Sequence, residues 1–358
     1  MSRLFSAAPL GHQTLQNRVV MSPMTRCRAI GNTANTLMAT YYGQRSSAGL
    51  LITEGTAPSP DGLGYARQPG LFSAAQVAGW KLVTDAVHAG GAKMAVQLMH
   101  TGRIGHPANL PAGARMLGPS ALAAPGEMWT DSEGKQGHPT PEAMTGADIA
   151  QALDEFAASA TLAIEQAGFD FVELHGANGY LIEQFLNLAA NQRDDAWGKT
   201  VVGRARFALE AVRRVAAAIG PERTGIRLSP WGRNGGLHDD PETEALYLHL
   251  AHELSALGIA YVHLVDHSAL GAPPLPEGFR SKLRANLTTA LIVSGGYDRD
   301  RAEADLASGL GDLVAFGRPF LANPDLVSKL ESGKALTPFD FSKAYSADAA
   351  GYTDWPVG

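Results

Sequence analysis

The chain has 358 residues, and 29 basic residues against 35 acidic ones leave a formal net charge of −6. That balance offers no positive excess to neutralise phosphates, so nucleic acid is not an expected partner. With 45% hydrophobic and 18% charged residues the chain can build a large core and is not generally disordered. A single cysteine, Cys27, excludes an intramolecular disulfide, a four-cysteine zinc site and a cysteine-held iron–sulfur cluster.

No apolar run reaches the roughly 18 residues needed to span a bilayer. The N-terminus, MSRLFSAAPLGHQ, lacks a basic start followed by an apolar stretch, so a cytoplasmic setting is expected and no membrane partner. Asn286-Leu287-Thr288 matches a glycosylation sequon, which reads as chance in such a setting.

Short apolar runs alternate with longer amphipathic ones. Residues 18–22 (RVVMS), 49–54 (GLLITE), 93–98 (KMAVQL), 170–175 (DFVELH), 224–229 (TGIRLS), 260–265 (AYVHLV), 289–294 (TALIVS) and 312–316 (DLVAF) are brief and mostly unbroken by polar residues. That is the pattern of strands buried on both faces of a parallel sheet. Helical spacing is clearest over about 147–167, where Ile149, Leu153, Phe156, Ala160, Ala163, Ile164 and Ala167 form one apolar stripe before Gly168 supplies a stop. Further helices are expected over 34–47, 75–89, 204–219, 241–257, 299–308 and 323–331. Strand-then-helix units in series predict an α/β protein, a single (β/α)8 barrel spanning 1–358. A doubly wound sheet is the alternative, but neither G-x-G-x-x-G nor G-x-x-x-x-G-K-[ST] occurs to favour it. Two connections are long, a Gly-, Pro- and Ala-rich excursion over 99–146 after the third strand and residues 176–203 after the fourth. Both start at strand carboxyl ends, where barrel active sites are built. The tail, 340–358, is expected to fold back over the barrel.

The densest polar group follows strand four, at His175-Gly-Ala-Asn178-Gly-Tyr180. His175 and Asn178 can donate to one oxygen and so polarise a carbonyl, while Tyr180 is a phenol that holds its proton at neutral pH. Any one of the three alone reads as part of a capped loop; together at a barrel mouth they read as a site. After strand seven comes Ser294-Gly295-Gly296, and after strand eight Gly317-Arg318-Pro319. Barrels often bind phosphate between these loops, glycine allowing backbone approach and arginine adding a forked charge. Thr25, Gln97, His100 and Arg227 are single polar residues at other strand ends. Arg227 lies in an otherwise apolar strand and requires an anion, a carboxylate or an electron-rich ligand. His249, His252, His263 and His267 with Asp266 are the candidates for a metal; they read instead as surface histidines, and no metal is expected.

Together these groups resemble the old yellow enzyme family of flavin-dependent ene-reductases, of the N-ethylmaleimide reductase kind. The resemblance rests on NRVVMSPMTR (17–26), LITEGT (51–56), GYARQPGL (64–71), QLMHTGR (97–103), GFDFVELHGANGYLIEQFL (168–186), RLSP (227–230), VSGG (293–296), FGRPFLANPDL (316–326) and GYTDWP (351–356), in order. It implies a (β/α)8 barrel holding FMN at its mouth, with NADPH or NADH as hydride donor. By position the FMN contacts fall on Pro23, Met24, Thr25, Gly55, Gln97, Arg227, Gly296, Gly317 and Arg318. The substrate oxygen would be held by His175 and Asn178, Tyr180 would donate the proton, and Tyr65 and Met99 would line the pocket. The implied activity is ping-pong reduction of electron-poor alkenes, such as enones, maleimides and nitroalkenes, by a monomer or weak homo-oligomer.

The chain departs from the family pattern at Met99, often aromatic there, at Gly55, often alanine, and at VVGR over 201–204, where an ENR pattern is common. Asn178 is histidine in some branches, and Thr25 rather than cysteine points to the classical branch. Two other readings remain open on the residues alone. One is a flavin-free barrel lyase or isomerase acting on a phosphorylated metabolite, for which Glu54 and Glu173 are the nearest candidate bases; the other is a non-catalytic flavin store.

Overall fold

In a computed structural model describing residues 2–356, the eight expected strands form β1 (Val19–Met21), β2 (Leu50–Ile52), β3 (Lys93–Leu98), β4 (Phe171–Gly176), β5 (Thr224–Leu228), β6 (Tyr261–Val265), β7 (Ala290–Ser294) and β8 (Leu313–Phe316). Each pairs in parallel with its neighbours, and β8 pairs with β1 to close the barrel. The first two strands are shorter than the apolar runs that announce them. Past β2 the Thr53 N–H still donates to the Ala95 carbonyl (3.0 Å), but the Gln97 N–H donates to the Thr53 hydroxyl (2.9 Å).

Eight outer helices follow their strands: α1 (Thr36–Gly43), α2 (Ala74–Ala89), α3 (Gly146–Glu165), α4 (Val201–Ile219), α5 (Thr243–Ala256), α6 (Phe279–Ala285), α7 (Arg299–Ser308) and α8 (Leu326–Ser332). Their starts are chemically marked. Thr145 and Asp148 form a reciprocal capping box on α3, and Ser73, Thr200 and Asp298 cap α2, α4 and α7. The helix expected over 323–331 begins later, because Pro324 disfavours helical geometry at Asn323. A separate short helix, Arg318–Ala322, precedes that break. The short α6 and the helix Leu181–Leu186 span two turns or fewer and carry too little periodicity to be read in advance.

Apolar faces of the helices pack on the outside of the sheet. A second cluster fills the barrel's amino-terminal end, where the hairpin Ala8–Leu10/Gln13–Leu15 meets Val20, Ile52, Phe171 and Tyr261. The opposite end carries the long connections. The excursion over 99–146 contains the hairpin Glu127–Thr130/Gly134–Gly137 and the strand pair Leu117–Gly118/Glu142–Ala143. The C-terminal segment folds back across this end. Arg26 donates to the carbonyls of Ala344 and Gly351, and Arg28 to those of Lys343, Ala344, Asp348 and Ala350. Among the described residues, no helix is long and apolar enough to cross a membrane.

Candidate active site

The barrel register brings the polar residues together. Glu173 of β4 lies opposite Gln97 of β3, while Arg227 of β5 lies between His175 and His263. Gln97 donates its amide to Glu173 Oε1 (2.8 Å), and His263 Nδ1 meets Glu173 Oε2 (2.9 Å). Because the amide nitrogen only donates, this contact to a carboxyl oxygen fixes which way the Gln97 amide points. Burial holds the His263 pKa below its usual value, Glu173 opposing the shift. His263 is therefore no surface histidine: it lies fully inside the barrel, because successive strand residues alternate faces and Val262 and Leu264 take the other one. The same alternation in V-E-L-H places Glu173 on the face of His175, a signal that could have marked Glu173 as part of the site. Among the described residues no three His, Cys, Asp or Glu side chains gather as metal ligands.

At the end of β4, Asn178 and Gly179 both adopt left-handed backbone conformations (φ 59° and 84°). A Cβ on Gly179 would lie 2.6 Å from the Asn234 carbonyl, so this position demands glycine. The turn puts Asn178 Nδ2 3.4 Å from His175 Nε2. Burial first, then the charge of Arg227, keeps His175 well below its ordinary pKa, so the imidazole is neutral. His175 Nδ1 has no partner. A proton on Nε2 leaves that buried nitrogen as a bare acceptor, cheaper than an unpaired N–H, and makes Nε2 and Asn178 Nδ2 two neighbouring donors with no hydrogen bond between them, both free for one ligand acceptor. Tyr180 packs edge-on against the His175 ring, centroids 4.9 Å apart, and its hydroxyl lies 2.8 Å from that of Tyr65. Burial pushes the Tyr180 phenol well above its usual value and Tyr65 up to about 12, so both hold their protons.

One cavity of about 1280 Å³ runs across the barrel mouth. Asn178, Tyr180 and Tyr65 line one end, and Gly296, Gly317 and Arg318 the other, with Thr25 and Arg227 between them. Arg227 is nearly buried and its Nε has no partner. At the far end Gly295 (φ 133°) and Gly296 (φ 65°) need their glycine identity, since a Cβ on Gly296 would lie 2.7 Å from Ala269 Cβ. Arg318 is exposed, with one long contact to the Ala269 carbonyl (3.5 Å). Pro23 and Met24 line the cavity beside Thr25.

Four expected site residues stand off the cavity wall. His175, 3% exposed, lies immediately behind Asn178 and Tyr180 with its Nε2 3.4 Å from the Asn178 Nδ2 that lines the cavity, and Gln97 is tied to Glu173. Gly55 and Met99 are buried against each other: a Cβ on Gly55 would collide with the Met99 thioether. Met99 is 1% exposed, and its flexible thioether fills the space that glycine leaves open. Glu54 and Glu173, the candidate bases of a flavin-free enzyme, are fully buried in hydrogen-bond networks. At VVGR, Arg204 is buried and pairs with Asp240 and Glu242 (2.9 and 2.8 Å). Sequence reading missed the residues of the rim and the supports of the turn: Trp129, Tyr345 and Asn234, and behind the turn Glu183, Ser229 and Tyr247.

Residues 3–337 match the model of the NADH:flavin oxidoreductase / NADH oxidase family. The chain belongs to the old yellow enzyme family. It is 41% identical over 368 residues to a chanoclavine-I aldehyde reductase of Penicillium roqueforti, covering 99% of this chain and 96% of the relative. Morphinone reductase superposes with a TM-score of 0.96 at 43% identity, covering 99% of this chain and 96% of that one. An old yellow enzyme homologue from Zymomonas mobilis superposes with a TM-score of 0.94 at 36% identity, covering 99% of both chains. As a member of the old yellow enzyme family, the chain is an FMN-dependent oxidoreductase. Its residues fit that cofactor: the unpartnered Arg227 Nε offers charge to an electron-rich ring, and Arg318 beside the Gly296 and Gly317 backbones offers a cradle for a phosphate. In this old yellow enzyme Thr25 lines the same cavity, and Gln97 is oriented behind it by Glu173.

Proposed function

We propose that the chain reduces the activated C=C bond of α,β-unsaturated carbonyl or nitro compounds, with NADPH or NADH as reductant and Tyr180 as proton donor. The observation that carries this reading is the meeting of two converging donors, His175 and Asn178, with a protonated phenol at one end of a single large cavity. When bound, FMN supplies reversible two-electron hydride chemistry. His175 and Asn178 hold the carbonyl or nitro oxygen, where negative charge grows as the β-carbon gains hydride. Preorganised donors aimed at such charge are worth several kcal/mol, roughly 3–4 per donor in measured cases. Tyr180 delivers its proton to the α-carbon, and Tyr65, 2.8 Å away, orients that hydroxyl. With no dinucleotide-binding motif in the chain, nicotinamide and alkene take turns in the same cavity.

The FMN-loaded protein is expected to bleach on anaerobic addition of NADPH and to recover its colour on addition of cyclohexenone. Tyr180→Phe should slow the second step by about 10² or more, the usual scale of general-acid catalysis, and leave the first nearly intact. Equal losses in both steps would remove Tyr180 from the donor role.

A further inference from the structure

Directly beneath the turn that carries Asn178 and Tyr180 lies a carboxylate that has no ion pair among the described residues. Glu183, 3% exposed, belongs to the short helix Leu181–Leu186. Its Oε2 accepts the Gly179 amide (2.6 Å), and its Oε1 accepts the Ser229 hydroxyl (2.6 Å) and the Tyr247 hydroxyl (3.2 Å). Ser229 Oγ in turn accepts the amide of Asn178 (3.0 Å). Both left-handed residues of the turn are therefore held through one buried side chain, directly at Gly179 and through Ser229 at Asn178. The neighbouring Gln184 donates to the Gly179 carbonyl (2.7 Å), so both backbone polar groups of Gly179 are held.

We propose that Glu183 is the positioning residue that fixes the Asn178–Tyr180 turn for substrate binding and proton delivery, and that only its ionised form does so. A carboxylate accepts from all three donors; a carboxylic acid must itself donate, and the acceptors facing it are the oxygens of the same Ser229 and Tyr247 hydroxyls. On protonation, the Ser229 or the Tyr247 hydroxyl must accept instead and turn its own hydrogen elsewhere, and the turn, held in part through Ser229, loosens. Burial raises the Glu183 pKa to about 7, its hydrogen-bond donors opposing the shift and Arg227 contributing least. The other groups facing it are Tyr247 on α5, whose phenol burial keeps well above its usual value, and His238, Asp239 and Asp240 around an adjoining void of about 10 Å³, with Arg204 of α4 paired to Asp240. That void has room for about one water and gives the carboxyl a route for proton exchange.

The proposal rests on the reading of Asn178 and Tyr180 given above, and its test separates the two. The FMN-loaded enzyme is titrated with phenol, followed by the long-wavelength absorbance of the complex, and its reoxidation by cyclohexenone is timed from pH 5.5 to 8.5. The wild type should lose both phenol affinity and reoxidation rate below about pH 7. Glu183→Gln should be slower by about ten- to hundredfold, the usual cost of misplacing a reacting group by an ångström, and independent of pH in this range. Glu183→Asp should recover a pH dependence. Should Glu183→Gln not fold, Ser229→Ala cuts only the link to Asn178 and should weaken phenol binding at every pH. A flat wild-type profile, or wild-type phenol affinity in Glu183→Gln or Ser229→Ala, overturns the role of Glu183. If instead Tyr180→Phe and the alanine variants of His175 and Asn178 also leave reoxidation unchanged, the reading of the site itself fails.

Discussion

The two ends of the cavity are built in opposite ways. At the β4 end the working side chains are mostly buried and packed against neighbours, and two consecutive residues occupy left-handed conformations. At the β7–β8 end the glycines are shaped by close approach of their neighbours, Arg301 is spent on the Gly295 carbonyl (2.6 Å), and Arg318, which lines the cavity, lies exposed with one long contact. The first end is complete before any ligand arrives, whereas the second leaves its strongest donor for the ligand to satisfy. Chemistry needs donors fixed where charge develops, and fixing them in advance lowers the cost at the moment of reaction. Anchoring a phosphate needs only complementary charge and close backbone, and tolerates a mobile side chain.

The contrast breaks most visibly at the donor pair. Replacing His175 and Asn178 together by Ala should lower the rate of alkene reduction by about 10³, since each preorganised donor is worth about 10²–10³ and paired donors are not additive. FMN content should stay normal, because neither residue belongs to the anion end. Phenol affinity should fall in step with the rate, as a phenolate oxygen imitates the oxygen on which charge grows. Unchanged phenol titration would mean that the two donors do not converge on one oxygen.

At the other end the expected effect is smaller and differs in kind. Arg318→Ala should weaken FMN binding to the apoprotein about fivefold, or about 1 kcal/mol, the discounted worth of a charged contact in water. The loss should shrink as salt is added, because an exposed pair is screened within about 10 Å at 0.1 M ionic strength. Alkene reduction by the loaded variant should match the wild type. A salt-independent loss would assign Arg318 to packing.

The barrel was legible because apolar runs of a few residues, repeated eight times between amphipathic segments, have few other solutions. The site was legible where polar residues interrupt those runs at strand ends, as at Gln97, His175 and Arg227. What the pattern hid was depth. His263 looks like a polar residue at a strand end, but the pleat turns it inward to Glu173. Glu183 looks like one polar position in a short helix, and only the folded turn shows three donors converging on it. Supports of this kind join residues far apart in the chain, such as Glu183, Ser229 and Tyr247, and no local spacing encodes them.

Gly55 and Met99 set the smallest effect and the finest test of the contrast. Read one at a time, each departure from the family pattern suggests a looser pocket. The structure makes them one feature, since the thioether occupies the volume a Cβ on residue 55 would need. Gly55→Ala must therefore push Met99 aside, toward the small cluster it shares with Ile104, Ala124, Met128 and Tyr180. Because methionine has three rotatable bonds, the cost should be under about 1 kcal/mol, the low end for overpacking. The displaced side chain presses on the packing behind Tyr180, so KM for cyclohexenone should rise a few-fold while FMN affinity stays unchanged. Adding Met99→Ala to Gly55→Ala should restore KM, because the methyl then has room; a double variant no better than the single would show that the two residues are not coupled.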